Sequence, residues 1–103
     1  MTSTTATRPL LMGPTIVTRY LGPTDYKGSR VVATHKRDSD KTYRVTLSWC
    51  DRLDGPQNHR EAAEALLRRF WPDSDLVICG RGHDQDAYFW LCCGAWQLQQ
   101  EEG

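Results

Sequence analysis

Between Pro56 and Phe70, the residues His59, Ala62, Ala63, Leu66, Leu67 and Phe70 recur at the spacing that lines up one side of an α-helix. Arg60, Glu61, Glu64 and Arg68 take the opposite side, where Arg60 with Glu64 and Glu64 with Arg68 stand one helical turn apart and can pair. Asp54-Gly55-Pro56 supplies an N-cap and an early proline, and Pro72 stops the helix near Trp71. An amphipathic helix must bury its apolar stripe against another element, and 103 residues hold material for one modest core.

The rest of the chain offers strands for that purpose. Thr15 to Leu21 (TIVTRYL) is rich in β-branched and aromatic residues and stops at Gly22-Pro23. Ser29 to His35 follows a Tyr26-Lys27-Gly28 turn, and Lys36 to Lys41 reads as a polar hairpin loop. Thr42 to Trp49 alternates cleanly: Tyr43, Val45, Leu47 and Trp49 face one side, Thr42, Arg44, Thr46 and Ser48 the other. After the helix, Asp75 to Cys79 and Ala87 to Cys93 are strand-like, separated by the glycine-bearing loop GRGHDQD, and the tail either continues as a strand through Gln97 or frays. The expected fold is a single α+β domain in the order β-β-β-α-β-β, a mostly antiparallel sheet with one helix packed on one face. Residues 1–13 read as a flexible leader, 14–98 as the domain and 99–103 as a polar tail.

Composition narrows the setting. No apolar run approaches the roughly 20 residues that a membrane-spanning helix needs, and the Leu10-Leu11-Met12 kernel is too short for a signal peptide, which predicts a cytoplasmic protein with no membrane partner. Cys92 and Cys93 are adjacent and point to opposite faces of a strand, so reduced thiols are expected for the four cysteines. The net charge is zero but polarised: Met1 to Arg60 carries ten basic and five acidic side chains, Glu61 to Gly103 three and eight. One basic face for an anionic partner is therefore open to the fold, as is neutralisation of one half by the other.

The words TRYLGPT, KGSR and NHREAAEALL, between Thr18 and Phe70, resemble a group of small proteins found in bacteriophages and mobile elements. The resemblance implies a mobile-element setting in a bacterial host, where small standalone domains bind nucleic acid or block a host defence protein. It brings no catalytic residues with it, and the cysteine- and tryptophan-rich C-terminal end lies outside it.

Two functional readings follow. In the first, Arg30 and Arg44 share the sheet face opposite the helix, with Arg19 or Tyr20 beside them according to register and Lys27 in the adjoining turn, and the face grips nucleic acid by its phosphates and stacks on an aromatic ring. An ordinary solvated sheet surface uses the same residue types. In the second, Tyr88, Trp90 and Trp96, with Arg81 on a loop tip, form an anti-defence docking surface for a host protein. Both faces of the Ala87 to Cys93 strand are apolar, and the leader or a second copy of the chain would have to cover the one that the helix does not.

No enzyme is expected. His59 on the helix stripe reads as a neutral core histidine; the alternative, a thiol-imidazole pair with Cys50 near the end of the third strand, lacks a nucleophile motif and an oxyanion site. Cys79 and His83, with Cys92 or Cys93, lack the paired spacing of zinc ligands, so no metal is assigned. The glycines of GRGHDQD do not open a helix, and no cofactor motif is present.

Overall fold

The computed structural model describes residues 13–38 and 40–96. Its elements are β1 (Thr15–Leu21), β2 (Arg30–Asp38), β3 (Lys41–Ser48), α1 (Gly55–Phe70), β4 (Leu76–Asp84) and β5 (Ala87–Gly94). The strands form one antiparallel sheet in the order β3-β2-β1-β5-β4, and the fold is of the α+β class. A meander of three strands and a hairpin of two are thus joined by the helix, and β1 pairs with both halves. The leader before Gly13, including Leu10, Leu11 and Met12, and the tail from position 97 onward lie outside the described residues.

The helix starts where the sequence places it. Asp54 accepts from the backbone N–H of Gln57 at 2.8 Å while the Gln57 side chain reaches back to the Asp54 N–H at 3.4 Å, a reciprocal cap that satisfies two end groups. At the other end the Trp71 N–H still donates to the Leu67 carbonyl before Pro72 ends the run. The stripe of His59, Ala62, Ala63 and Leu66 is buried, and the two alanines let the helix lie close to the sheet beside Val31, Ala33 and Ile16. Burying Leu66 alone contributes about 2–3 kcal/mol. The helix lies chiefly over β1, β2 and β3 and also touches β5.

Alternation in β3 is as expected: Tyr43, Val45 and Leu47 pack against the core, while Thr42, Arg44, Thr46 and Ser48 are exposed. Two expectations need correction. The Lys36 to Lys41 segment is mostly strand, because β2 runs to Asp38, whose carboxylate accepts from the backbone N–H groups of Asp40 and Lys41 and so builds the turn. GRGHDQD is likewise not a loop through most of its length: Gly80 to Asp84 pair with β5 beyond a register shift between Ile78 and Gly80, which leaves Cys79 as the extra residue of a bulge. At its far end β5 stops at Gly94, and Ala95 and Trp96 have turned into helical backbone.

Where the chain enters the sheet, the Cys92 N–H donates to the Pro14 carbonyl at 2.9 Å. Gly13 lies against the Cys92 carbonyl so closely that no side chain fits there.

Candidate nucleic-acid interface

Strand parity and register decide which side chains share a face. Arg19 of β1 pairs across from Val32, Arg30 of β2 from Ser48, and Arg44 of β3 from Thr34. All three arginines therefore project from the side of the sheet opposite α1, and Lys36, across from Thr42, joins them. Pleat geometry puts the backbone of Arg19 about 8 Å from that of Arg30, and Arg44 about 14 Å from Arg30. Thr42, Thr46 and Ser48 fill the exposed positions between these cations. By sequence Lys36 belongs to the polar loop, and only the extension of β2 brings it here.

Among the described residues of β1–β3 no carboxylate stands between these cations, while Asp84 of β4, across from Ala87, projects from the same face two strands from Arg19. Asp38, at the end of β2, is turned onto backbone N–H groups. Among the described residues the ion pairs are those of Glu64 with Arg60 and Arg68 on the helix. Arg19 and Arg44 are exposed and Arg30 is half-buried, its Nε donating to the Gly28 carbonyl at 3.3 Å.

Lys27 sits in the loop between β1 and β2, and that loop is braced from within. Thr24 Oγ1 accepts from the N–H groups of Tyr26 and Lys27, and the Thr24 N–H donates to the Lys27 carbonyl at 2.7 Å. The loop and the end of β3 enclose an open groove of about 560 Å³ lined by Lys27, Ser29, Arg30, Ser48, Trp49 and Asp51.

Tyr20 does not share the arginine face. Its parity places it on the helix side, where its ring meets Trp49 edge-on at 5.0 Å and its hydroxyl bonds Ser29 Oγ at 2.9 Å, leaving the residue 48% exposed. Of the two side chains that the sequence left open, the register selects Arg19.

The expected protein-docking residues are scattered. Tyr88, Trp90 and Cys92 do share one face of β5, but that face is the one under the helix, and Trp90 is 3% exposed. Its indole Nε1–H donates to Thr18 Oγ1 at 2.9 Å. Trp90 is thus a core residue and not a surface anchor, because β5 is an interior strand between β1 and β4. Tyr88 is half-buried and packs on His59, with ring centroids 4.4 Å apart. Arg81 is exposed, yet it belongs to β4 and not to a loop tip, with its guanidinium 6.0 Å from the Trp90 ring. Trp96, 54% exposed, stands apart beyond the end of β5.

His59 is the neutral core histidine that its position suggested. Thr18 Oγ1 lies 2.7 Å from His59 Nδ1, and since that oxygen already accepts from Trp90, its own hydrogen is free to go to Nδ1, leaving the ring proton on Nε2. Burial holds its pKa below the usual histidine value, against an opposing bond with the Thr18 backbone and with the nearby His83 adding to the lowering. Cys50 is exposed, and its backbone is tied to Asn58, not to His59.

All four cysteines are free thiols. Burial raises Cys79 to about 11, with a contribution from Cys93, and burial raises Cys92 to about 11 as well. Both therefore stay protonated at neutral pH, unlike nucleophilic thiols. Among the described residues no cluster of histidine, cysteine and carboxylate side chains could hold a metal ion, and no helix is long and apolar enough to cross a membrane.

Sequence reasoning missed Asn58. It is buried, accepts from the Cys50 N–H at 2.8 Å and donates to the carbonyls of Cys50, Leu53 and Asp54. A polar residue one place before the helix stripe, after a loop with no hydrogen-bond ladder of its own, is the signal that was available.

No protein-family model, curated protein or solved structure matches this chain.

Proposed function

We propose that this domain is a non-enzymatic binding module that holds nucleic acid on the helix-free face of its sheet. The supporting observation is the convergence of Arg19, Arg30, Lys36 and Arg44 on one surface of β1–β3, with the nearest described carboxylates at its margins, Asp84 on β4 across from Ala87 and Asp51 after β3. Like charges on one face repel, and an anionic partner relieves that repulsion. Guanidinium groups match phosphate oxygens in geometry, and the intervening threonine and serine hydroxyls add neutral donors. Lys27 extends the cationic strip past the end of the sheet.

The TRYLGPT, KGSR and NHREAAEALL words favour a phage or mobile-element setting in the bacterial cytoplasm. Docking on a host defence protein through β5 is the weaker reading, because its anchor Trp90 is buried.

The proposal is tested by titrating labelled oligonucleotide at increasing salt. Affinity should fall linearly on a log-log scale, and replacing Arg30 or Arg44 by alanine should lower the slope by about one each. Salt-independent binding, or slopes unchanged in both variants, would overturn it.

A further inference from the structure

We infer that Phe89 and the side-chain-free strip of Gly80 and Gly82 beside it form a stacking position for one unpaired base, and that the ligand of the arginine face is a single strand. This inference rests on the reading of that face given above and specifies its ligand.

Register brings the ring to the cations. Phe89 of β5 stands directly across from Val17 of β1, Val17 across from Thr34, and Thr34 across from Arg44. Phe89 therefore shares the helix-free face and one row of the sheet with Arg44. Arg19, two residues beyond Val17, lies diagonal to Phe89 with about 8 Å between their backbones. An extended arginine side chain spans much of that gap, so a phosphate held by Arg19 has its own base within reach of the ring. Tyr88 and Trp90, the neighbours of Phe89 in β5, project the other way, where their rings pack near His59 and each other. Phe89 is half-buried and is the aromatic side chain that this strand gives to the arginine face.

The other flank of Phe89 is bare. Across from it on the edge strand β4 is Gly82, and across from Leu91 is Gly80, so two successive positions of β4 on this face carry no side chain. The backbone does not demand either glycine, since among the described residues no glycine has a positive φ. Crowding does not demand them: a Cβ at Gly82 would stand 3.8 Å from the Phe89 Cβ, and one at Gly80 3.6 Å from the Leu91 Cβ, which are ordinary contacts. Glycine weakens a strand, and where neither turn nor packing requires it, it leaves room for a ligand to approach the sheet closely. A base has the broad flat face that a ring and an uncovered backbone can support together. Asp84, the next residue of β4 on this side, is occupied by the Gln85 N–H at 2.8 Å. A base inside a duplex is stacked and paired and reaches Phe89 only by extrusion. A single strand offers its bases freely while its backbone follows Arg19 and Arg44 on the same face.

The test compares the full chain's binding to a labelled oligothymidine and to a hairpin duplex at one fixed low salt concentration. The single strand should bind at least about tenfold more tightly. Phe89→Leu keeps an apolar side chain and removes the flat ring, and should weaken single-strand binding roughly five- to hundredfold and duplex binding little. Gly82→Val adds a strand-favouring side chain that the backbone accepts, so the melting temperature should hold or rise while single-strand binding falls several-fold. Equal affinity for both probes, tighter binding of the duplex, or wild-type single-strand affinity in either folded variant would overturn the stacking position while leaving the arginine face intact. The last of these is the result expected if a second copy or the leader occupies the strip. Binding to neither probe would overturn the arginine-face reading as well.

Discussion

Trp90 and Thr18 meet beneath the helix, indole N–H to hydroxyl oxygen at 2.9 Å, and the same hydroxyl reaches His59 on α1. One threonine therefore joins the two strands at the middle of the sheet to the helix that covers them. Buried polar groups hold a fold together only when each is satisfied, and among the described residues no buried side-chain polar atom lacks a partner.

Thr18→Val keeps the shape of the side chain and removes the hydroxyl, stranding the Trp90 N–H and the His59 Nδ1 together. A loss of about 2–3 kcal/mol is expected from two buried groups left unpaired. Urea denaturation of the variant beside the wild type measures it, and a loss under half a kcal/mol would mean that water reaches this site.

His59 makes stability fall in acid. Its folded-state pKa is lowered by burial, so above its ordinary value of 6.5 both folded and unfolded chains hold it neutral and it costs nothing. As pH drops below 6.5 the unfolded chain takes up the proton first, and stability declines until the folded-state value is passed, then levels off. The expected result is a lower denaturation midpoint at pH 5 than at pH 7.5, with NMR titration of the His59 ring showing a pKa below 6.5.

Asn58→Ala should cost about 2–3 kcal/mol, since it leaves the N–H of Cys50 and the carbonyl of Leu53 without their partner, while the carbonyls of Cys50 and Asp54 keep backbone bonds from Leu53 and residue 58. Asn58→Asp should cost more at neutral pH, because a carboxylate then faces the carbonyls of Cys50, Leu53 and Asp54. Thermal melts of the two variants rank them.

Thiol chemistry provides an independent check on the core. At mildly alkaline pH the exposed Cys50 should alkylate first, and Cys79 and Cys92, raised to about 11, should lag it. Peptide mapping after a brief iodoacetamide pulse reads the order. Rapid labelling of Cys92 would contradict its complete burial.

Much of this fold is legible in local patterns. The span of β1, the two faces of β3 and the capped start of α1 each follow from residues that decide their own conformation: β-branched runs, strict alternation, an Asp-Gly-Pro entry. What fails is everything set by a distant partner. Gly80 and Gly82 look like a turn because glycine resists extended structure in isolation, yet pairing with Leu91 and Phe89 of β5 holds them in a strand. Trp90 looks like an exposed aromatic until β4 and β1 flank its strand and α1 covers it. The candidate site divides the same way. Arg30 and Arg44 are assigned to one face by parity, whereas the choice of Arg19 over Tyr20, and the inclusion of Lys36, depend on cross-strand register and on how far β2 extends.

The central claim is that the cations on one side of the sheet, and not those of the helix, hold the ligand. The most direct measurement is the salt dependence of oligonucleotide binding for Arg19→Gln/Arg30→Gln/Arg44→Gln beside a control, Arg68→Gln/Arg69→Gln, which removes exposed charges at the end of α1. The account predicts that the first variant loses about two to three from the log-log slope and most of its affinity, while the control stays near the wild type. Equal losses in both variants, or none in the first, would contradict it.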